Sequence, residues 1–351
     1  MPHAHTAVLI GRFQPFHLGH LALLEHALRA AQQVIVVLGS SYQARSPKNP
    51  FSWQERAQLI RACLSAEVQQ RVHFVPVRDY YDMQRWVQAV QQGVDALVPA
   101  GASIALVGHD KDESSSYLRH FPSWQSMDLP RQGQIDGTPL RAQYWNLADQ
   151  PKAQVLADLA PSVPPATLQW LQTWMGTPAY AAMRAEAQAL HAYRQSWAQA
   201  PFTPMFVTVD VLALCAGRVL LIQRGHHPGK DLLALPGGFL ETHDTLEQSA
   251  QRELQEETGL VLSPDAWRTA LQGIEVFDHP SRSQRGRTIT HVYVLQLPGD
   301  APPSVAGGDD AAAAHWVPLA DLAARESEFF EDHFHVLRRC FARFGTGPLL
   351  P

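Results

Sequence analysis

The stretch 237–260 constrains the chain most, because it specifies a short acidic helix together with both of its ends. Asp244 is a good N-cap residue, and Glu247 three positions later completes a capping box. Gly259 can adopt the left-handed conformation that ends many helices. The pattern therefore predicts a helix from about 245 to 258.

Three carboxylates fall on one face of this predicted helix. Glu253, Glu256 and Glu257 stand at positions i, i+3 and i+4, within an arc of roughly 100°. Carboxylates this close repel one another, so without a partner one or more would take up a proton. Arg252 can pair with Glu256 one turn further on. A hard divalent cation removes the conflict, and oxygen ligands suit Mg²⁺ or Mn²⁺; a solvated acidic helix face is the alternative.

The residues that flank the helix favour the metal site. From Gly238 there are five residues to Asp244 and seven more to Arg252. The fixed order continues with Glu253, Leu254, Glu256, Glu257, Gly259 and Leu260. This order resembles the Nudix box of hydrolases that cleave a nucleoside diphosphate linked to another group, with Asp244 where that family usually has Glu. The resemblance implies metal ligation at Gly238, Glu253, Glu256 and Glu257 and catalytic roles for Glu253 and Glu257.

Length and composition favour two domains in a reducing compartment. A chain of 351 residues exceeds one ordinary domain, and an apolar content of 46% is ordinary for globular proteins. The net charge of −5 argues against a broad nucleic-acid surface. Three cysteines lie far apart without metal spacing, and no apolar run approaches the ~18 residues of a membrane span. The start of the chain does not read as a signal peptide. We therefore expect a cytoplasmic protein that binds neither nucleic acid nor membrane.

The beginning of the chain predicts an anion site. Residues 7–13 read as a short buried strand, a loop with glycine and proline follows, and apolar residues then recur at helical spacing. Free N–H groups and the helix dipole point at such a loop, and His17 and His20 can both face it. A partly exposed, capped helix start is one alternative. A zinc pair is another, but it would need further ligands at suitable spacing.

Residues 11–20, Gly-Arg-Phe-Gln-Pro-Phe-His-Leu-Gly-His, resemble the His-x-Gly-His motif of the archaeal-type nicotinamide mononucleotide adenylyltransferases. The segments 39–51, 108–112 and 135–141 are similar to further motifs of that family, with Asp136 in place of its serine. The resemblance covers roughly 5–195 and implies catalytic roles for His17, His20 and Arg141. It implies ATP or mononucleotide contacts from Gly11, Arg12, Phe13, Arg45, Lys48, Asn49, Trp86, Gly108, Asp110, Lys111 and Thr138. For Trp86, a place in the core of its helix is an equally weighted alternative.

Alternating strands and helices define the expected fold class. Apolar runs near 7–13, 34–39, 71–77 and 104–108 are separated by helical segments, which predicts a doubly wound parallel sheet with ligands at the carboxyl ends of its strands. Two prolines in 199–204 predict a linker. We thus expect a Rossmann-like α/β nucleotidylyltransferase domain over 1–198 and an α+β Nudix domain over 205–351.

In the second half, predicted strands at 206–213 and 218–223 form a hairpin, and strands at 274–278 and 288–296 flank a loop. Arg282, Arg285 and Arg287 on this loop have no acidic neighbours in sequence and can clamp phosphates, although a solvated turn is the alternative. The segment from Phe277 onward resembles the ADP-ribose-cleaving branch of the Nudix proteins. The resemblance implies that substrate is bound by Phe277, Arg282, Arg285 and Arg287. One helix, ending near 344, is the last predicted element, without room for a winged helix.

Together the two resemblances imply a bifunctional enzyme with Mg²⁺ or Mn²⁺ as cofactor. The first domain would convert ATP and nicotinamide mononucleotide into NAD and pyrophosphate. The second would hydrolyse ADP-ribose to AMP and ribose 5-phosphate, with Glu257, Glu326 or Glu328 as the base. Two alternatives stay open: the first domain adenylylates a different phosphate ester, or the second is a non-catalytic module that senses ADP-ribose or NAD. A homo-oligomer is compatible with the sequence.

Overall fold

The computed structural model describes residues 4–108, 119–128 and 135–351. Contacts within the chain divide it into two compact units, Met1–Ala187 and Gln188–Pro351. The division falls inside a helix, Pro178–Ser196, whose last turns pack with the second unit. None of the helices among the described residues is long and apolar enough to cross a membrane.

The described part of the first unit is a doubly wound α/β fold, as predicted. Its strands form one parallel sheet in the order β3-β2-β1-β4-β5. The strands are β1 (Ala4–Gly11), β2 (Ala31–Leu38), β3 (Val72–Pro76), β4 (Ile104–Gly108) and β5 (Gln125–Asp128). The helices are α1 (Leu18–Ala30), α2 (Trp53–Ala62), α3 (Ala66–Gln69), α4 (Met83–Asp95), α5 (Gly137–Trp145), α6 (Lys152–Leu159), α7 (Pro165–Trp174) and α8 (Pro178–Ser196).

The central strands of this sheet are apolar on both faces, which is why 7–10, 34–38 and 104–107 read as continuous apolar runs. On one face Leu9 and Val36 pack with α1 and α2; on the other, Val8 and Ile35 pack with α4. The central strand β1 pairs with β2 on one side and β4 on the other. Strand order therefore reverses beside β1, and the loops at the carboxyl ends of these strands meet there.

The second unit is an α+β fold built on a mixed sheet, also as predicted. Its main strand order is β10-β11-β6-β7-β12, with β8 paired to β7 and β9 paired to β6. The strands are β6 (Met205–Cys215), β7 (Arg218–Arg224), β8 (Leu233–Ala234), β9 (Gly237–Phe239), β10 (Leu271–Phe277), β11 (Arg287–Gln296) and β12 (Ala311–Pro318). The helices are α9 (Leu246–Thr258), α10 (Pro264–Ala270) and α11 (His333–Phe344), and a 3₁₀ helix covers Leu319–Glu328.

Two apolar layers enclose this second sheet. Leu254 of α9 and Trp267 of α10 pack on one face. Leu337 and Phe341 of α11 pack on the other face. Strand β9 runs antiparallel to β6, with Gly238 opposite Val209, and this pairing places the glycines of β9 next to α9.

The start of α9 corrects one detail of the sequence analysis. The N-cap is Thr245, whose capping-box partner is Gln248, instead of Asp244 with Glu247. The Asp244 carboxylate instead accepts hydrogen bonds from Ser249 Oγ at 3.1 Å and from Arg252 Nε at 3.1 Å. The other end is as predicted, because Gly259 has a φ of 69° and follows the last helical residue.

Candidate active sites

The loop between β1 and α1 brings the two predicted histidines together. His17 is the N-cap of α1, and the rings of His17 and His20 stack with centroids 3.5 Å apart. Each ring also accepts from the other residue's backbone N–H, at 3.3 and 3.4 Å. Phe13 lies edge-on to His20, with ring centroids 4.8 Å apart. Both imidazoles therefore stand at the positive end of a helix dipole, where anions bind favourably.

Arg141 lies beneath this loop. Its guanidinium is buried and donates to the Gln14 carbonyl at 2.6 Å and to Thr138 Oγ1 at 2.8 Å. Burial lowers the pKa of Arg141, chiefly because desolvation disfavours the charged form. The structure thus joins Arg141 and Thr138, two residues predicted from one motif, to the loop that carries the histidines.

The remaining predicted residues of the first site have varied surroundings. Arg45 is paired with Glu55 at 2.7 Å and donates to the Pro50 carbonyl. Asn49 is buried, whereas Lys48 is half-buried and Arg12 is exposed. Gly11 and Gly108 end the adjacent strands β1 and β4. Trp86 is half-buried among apolar residues of α4 and lies 6.1 Å from Phe121. Asp110 and Lys111 lie outside the described residues.

Sequence reasoning missed Arg56 and Asp79, which support the loops of the first site. Arg56, on α2, is buried and donates to the carbonyls of Arg12 and Gly39, both at 2.7 Å. Asp79 accepts from the backbone N–H and the Oγ of Ser40 at 3.2 and 2.7 Å. A signal for Arg56 was present in the sequence, since it stands one turn before Ile60 on the apolar face of α2.

In the second unit, α9 presents its carboxylates to strand β9. Glu257 is buried, and its Oε2 accepts from the backbone N–H of Gly237 at 2.7 Å. The Glu253 carboxylate lies directly against Gly238, where any Cβ would collide with it. A side chain at position 238 would therefore displace the Glu253 carboxylate from the strand.

Arg252 binds three acids at the outer end of this cluster. It donates to Asp244 at 3.1 Å, to Glu253 at 3.0 Å and to Glu256 at 2.8 Å. The predicted pairing with Glu256 is therefore present, within a wider network. One guanidinium partly neutralises this crowded group of carboxylates and fixes their directions.

Burial dominates the protonation of the two inner carboxylates. It raises the pKa of Glu257 to about 8, opposed by the hydrogen bond from Gly237. It raises the pKa of Glu253 to about 6, opposed by the neighbouring Arg252. Desolvation penalises the charged form in both, so a cation at this position would favour ionisation.

The fit of these residues to a metal ion rests on donor type. Among the residues that the structure describes, no group of three or more His, Cys, Asp or Glu side chains is arranged to hold a metal. Glu253 and Glu256 are instead directed to Arg252. The donors are all oxygens, however, and Mg²⁺ keeps several waters and needs few protein ligands. Glu253, Glu256 and Glu257 therefore fit a hard divalent cation, provided that Arg252 yields to it.

The loop of predicted phosphate-binding arginines requires a correction. Arg282 is buried and forms a two-pronged ion pair with Asp332, at 3.0 and 2.9 Å, so its guanidinium already has an acidic partner. Arg285 lies over the ring of Phe239 at 5.1 Å and 3.8 Å from Glu331. Arg287 donates to the Asp278 carbonyl. The sequence lacked acids near these arginines only because Glu331 and Asp332 lie about fifty residues further on.

Two further residues predicted for the second site lie in the core or on the surface, and two others were not predicted. Phe277 lies in the core beneath α11. Glu328 is paired with Arg325 at 2.7 Å on the surface. Arg224, which sequence reasoning missed, is half-buried, lies over the Phe330 ring at 4.4 Å and has a pKa lowered chiefly by desolvation. Asp210, also missed, is buried and accepts from Thr290.

Comparisons with known proteins agree with both units. A NUDIX domain model matches residues 204–340, and a Cytidylyltransferase-like model matches residues 8–121. The nicotinamide/nicotinic acid mononucleotide adenylyltransferase of Acinetobacter baylyi is 38% identical over 183 residues, which are 52% of this chain and 93% of that protein. The ADP-ribose pyrophosphatase of Methanocaldococcus jannaschii is 35% identical over 116 residues, covering 33% of this chain and 63% of that protein.

One solved structure spans both units. It is a bifunctional NMN adenylyltransferase/ADP ribose pyrophosphatase from Francisella tularensis, complexed with AMP and a manganese ion. Its sequence is 35% identical, and the match covers 97% of this chain and 100% of that chain, with a TM-score of 0.88. The match therefore extends over both units of the chain. This chain therefore belongs to the family of bifunctional NMN adenylyltransferase/Nudix hydrolase proteins.

Proposed function

We propose that this protein is a bifunctional enzyme of NAD metabolism. The first unit joins ATP and nicotinamide mononucleotide into NAD and pyrophosphate, and the second hydrolyses ADP-ribose to AMP and ribose 5-phosphate. The observation that carries the proposal is the match of both units, over 97% of the chain, to the bifunctional NMN adenylyltransferase/ADP ribose pyrophosphatase of Francisella tularensis.

For the first activity, the mononucleotide phosphate attacks the α-phosphorus of ATP in line, and pyrophosphate leaves. No covalent enzyme intermediate is needed, so the protein's contribution is positioning and charge neutralisation. His17 and His20, stacked at the start of α1, stabilise the triphosphate and the charge of the transition state. The exposed Arg12 side chain and the half-buried Lys48 would contribute positive charge to phosphate oxygens. Arg141 contributes a buried positive charge beneath the same loop.

For the second activity, water attacks a phosphorus of the diphosphate, and a sugar phosphate leaves. Glu253, Glu256 and Glu257 would hold Mg²⁺ or Mn²⁺, which supplies Lewis-acid polarisation of the phosphoryl oxygens. The hydrogen bond from Gly237 fixes Glu257, and Arg252 fixes Glu256. Arg285 and Arg287 are the candidates among the loop arginines for substrate phosphates, since Arg282 is bound to Asp332. Glu257, Glu326 and Glu328 all remain candidates for the base.

The substrate of the second unit is tested by comparing four compounds at equal concentration with Mg²⁺. We expect ADP-ribose to be cleaved faster than NAD, NADH or a nucleoside triphosphate, because the segment from Phe277 onward resembles the ADP-ribose-cleaving branch. Glu257→Gln should abolish most of the hydrolysis while leaving adenylyl transfer unchanged. Faster cleavage of NAD than of ADP-ribose would exclude the substrate assignment. Full hydrolysis by Glu257→Gln would exclude the mechanism.

The acceptor of the first unit is tested with ATP and either nicotinamide mononucleotide or nicotinic acid mononucleotide. The Acinetobacter relative is named for both compounds, so turnover of each is expected. Turnover of neither would favour the alternative, a different phosphate ester. We also propose a cytoplasmic location, which is consistent with three free cysteines. A homo-oligomer remains a prediction.

A further inference from the structure

A buried arginine that no motif of the first site includes joins two of its loops. Arg56 stands in the first half of α2 and is 1% exposed. Its Nη1 donates to the carbonyls of Arg12 and Gly39, both at 2.7 Å. Its Nη2 donates to the Ser40 carbonyl at 3.4 Å and to Ser41 Oγ at 3.3 Å. These acceptors are all neutral, so Arg56 is a buried cation held by backbone and hydroxyl oxygens.

The acceptors of Arg56 lie in the loops that follow two different strands. Arg12 directly follows β1, and Gly39 directly follows β2, two neighbouring parallel strands. One guanidinium therefore connects the loop that carries Arg12, His17 and His20 to the loop that begins at Gly39. The backbone N–H of Gly39 also donates to the Gly11 carbonyl at 2.9 Å. The two strand ends are therefore joined by this backbone hydrogen bond as well as by the Arg56 guanidinium.

The loops that Arg56 joins contain backbone conformations that non-glycine residues seldom adopt. Phe13 has a φ of 53°, Ser40 of 49° and Tyr42 of 70°. Such conformations persist only where the surrounding structure determines them, and they concentrate at functional sites. Here the determining contacts are Arg56 on the carbonyls and Asp79 on the N–H and hydroxyl of Ser40.

The charge of Arg56 is also placed to act on a bound anion. Burial lowers its pKa to about 10, with Asp79 opposing the shift, so the group stays charged at neutral pH. The charge sits behind the backbone of Arg12, whose side chain is exposed. Electrostatic effects in a buried environment are screened less than at the surface.

We propose that Arg56 is a positioning residue for adenylyl transfer: its guanidinium fixes the loop after β1 against the loop after β2, so that Arg12 and the stacked histidines meet the reacting phosphates in register. The inference rests on the proposed transferase function of the first unit. A lysine at this position keeps the positive charge, but its ammonium lacks the fork that reaches the Arg12 and Gly39 carbonyls together with Ser41.

The test compares Arg56→Lys and Arg56→Ala with Arg61→Met, a matched control. Arg61 lies on the same helix, is exposed, and has its guanidinium 4.8 Å from the Phe74 ring, away from the loops. For each protein we would measure kcat, KM for ATP, KM for nicotinamide mononucleotide and the melting temperature. We expect kcat of Arg56→Lys to fall by a factor of about 10², the size of effect that misplacement of reacting groups can produce. KM for ATP should change much less, and Arg61→Met should match wild type.

Chemical rescue separates positioning from a general folding defect. Well below the melting temperature of Arg56→Ala, millimolar methylguanidinium should restore part of its kcat, and methylammonium should not. The inference would be overturned if kcat of Arg56→Ala only followed its folded fraction, or if methylguanidinium and methylammonium restored kcat equally. If Arg56→Ala does not fold, Arg56→Lys decides: wild-type kcat in a folded protein would also overturn it. If wild type itself forms no NAD, the proposed function is wrong. If wild type forms NAD and Arg56→Lys has the same kcat, the inference about Arg56 is wrong.

Discussion

At the scale of single residues, His20 offers a direct test of the first site. Its ring stacks on His17 at the N-terminus of α1, where it can stabilise charge that develops on the phosphates. We expect His20→Ala to lower kcat by a factor on the order of 10²–10³, with KM for ATP changing less because the interaction grows in the transition state. His26→Ala, on the same helix but away from the loop, is the control. A His20→Ala enzyme that turns over at nearly the wild-type rate would show that His20 only caps the helix.

A second residue, His333, links the stability of the second unit to pH. His333 is buried, and its Nδ1 accepts from the backbone N–H of Leu235 at 3.0 Å. Burial lowers its pKa from 6.5 to about 4. Between these values the unfolded chain binds a proton that the folded chain does not, so stability is complete above pH 6.5 and declines as the pH falls toward 4.

The expected loss from His333 is at most about 3.5 kcal/mol, from ~1.4 kcal/mol for each unit of a shift from 6.5 to about 4. The measurement is the free energy of unfolding from pH 7.5 to 4.5, for wild type and His333→Asn. Asparagine keeps an acceptor for Leu235 but does not titrate. Other groups, Asp332 among them, contribute to both proteins and cancel in the difference. Parallel pH profiles for the two proteins would show that His333 does not cause the dependence.

The site residues that could be predicted are those defined by local spacing. His17 and His20, and the glutamates of α9, lie within single helical turns, so periodicity alone places them together. Arg282 was expected to bind phosphate because no acid lies near it on its loop, whereas its partner, Asp332, is contributed by the start of α11. Arg56 was missed for the same reason, since its acceptors follow two different strands. Spacing in sequence does not report contacts of this kind.

At the scale of elements, apolar runs predicted the buried strands well, and polar strands were missed. β4 and residues 34–38 of β2 are continuous apolar segments, and both strands were expected close to their observed positions. β5 is the polar segment Gln-Ser-Met-Asp at the edge of the sheet, with no periodic signal. β9 has only three residues, two of them glycine, and forms because β6 offers it a partner. Pairing, not local propensity, defines such strands.

The start of α9 gives the prediction that belongs to this scale. Thr245 caps the helix, whereas Asp244 binds Arg252, so the two neighbours should affect different properties. Thr245→Ala should destabilise the second unit by about 1 kcal/mol, the usual effect of losing a cap, with little change in hydrolysis. Asp244→Asn should change stability less but lower the rate of hydrolysis, because Arg252 loses one of its carboxylate partners. Thermal unfolding and steady-state hydrolysis measure both, and the opposite pattern would restore Asp244 as the cap.

At the scale of the whole molecule, the two units divide earlier in the chain than the prolines of the predicted linker. The end of α8 and the residue after it pack with the second unit: Tyr193 of α8 and the following Trp197 have ring centroids 5.9 and 6.0 Å from that of Phe206. Arg194 also donates to the Gln284 carbonyl at 3.0 Å. The sequence analysis placed the whole of this helix in the first domain, up to residue 198, because the prolines that mark a boundary in sequence come after it.

This division predicts which fragment of the second unit is stable. A fragment covering 188–351 retains Tyr193 and Trp197, whereas one covering 201–351 exposes Phe206 and Phe239, which those rings cover. Since full burial of one large apolar side chain contributes roughly 1.5–3 kcal/mol, we expect the shorter fragment to melt several degrees lower and to aggregate more readily. ADP-ribose hydrolysis should persist in the longer fragment. The full chain with Tyr193→Ala and Trp197→Ala is the matched control, and its second unit should lose comparable stability. Equal melting temperatures for the two fragments would show that the end of α8 adds nothing to the second unit, and the boundary would then lie at the prolines.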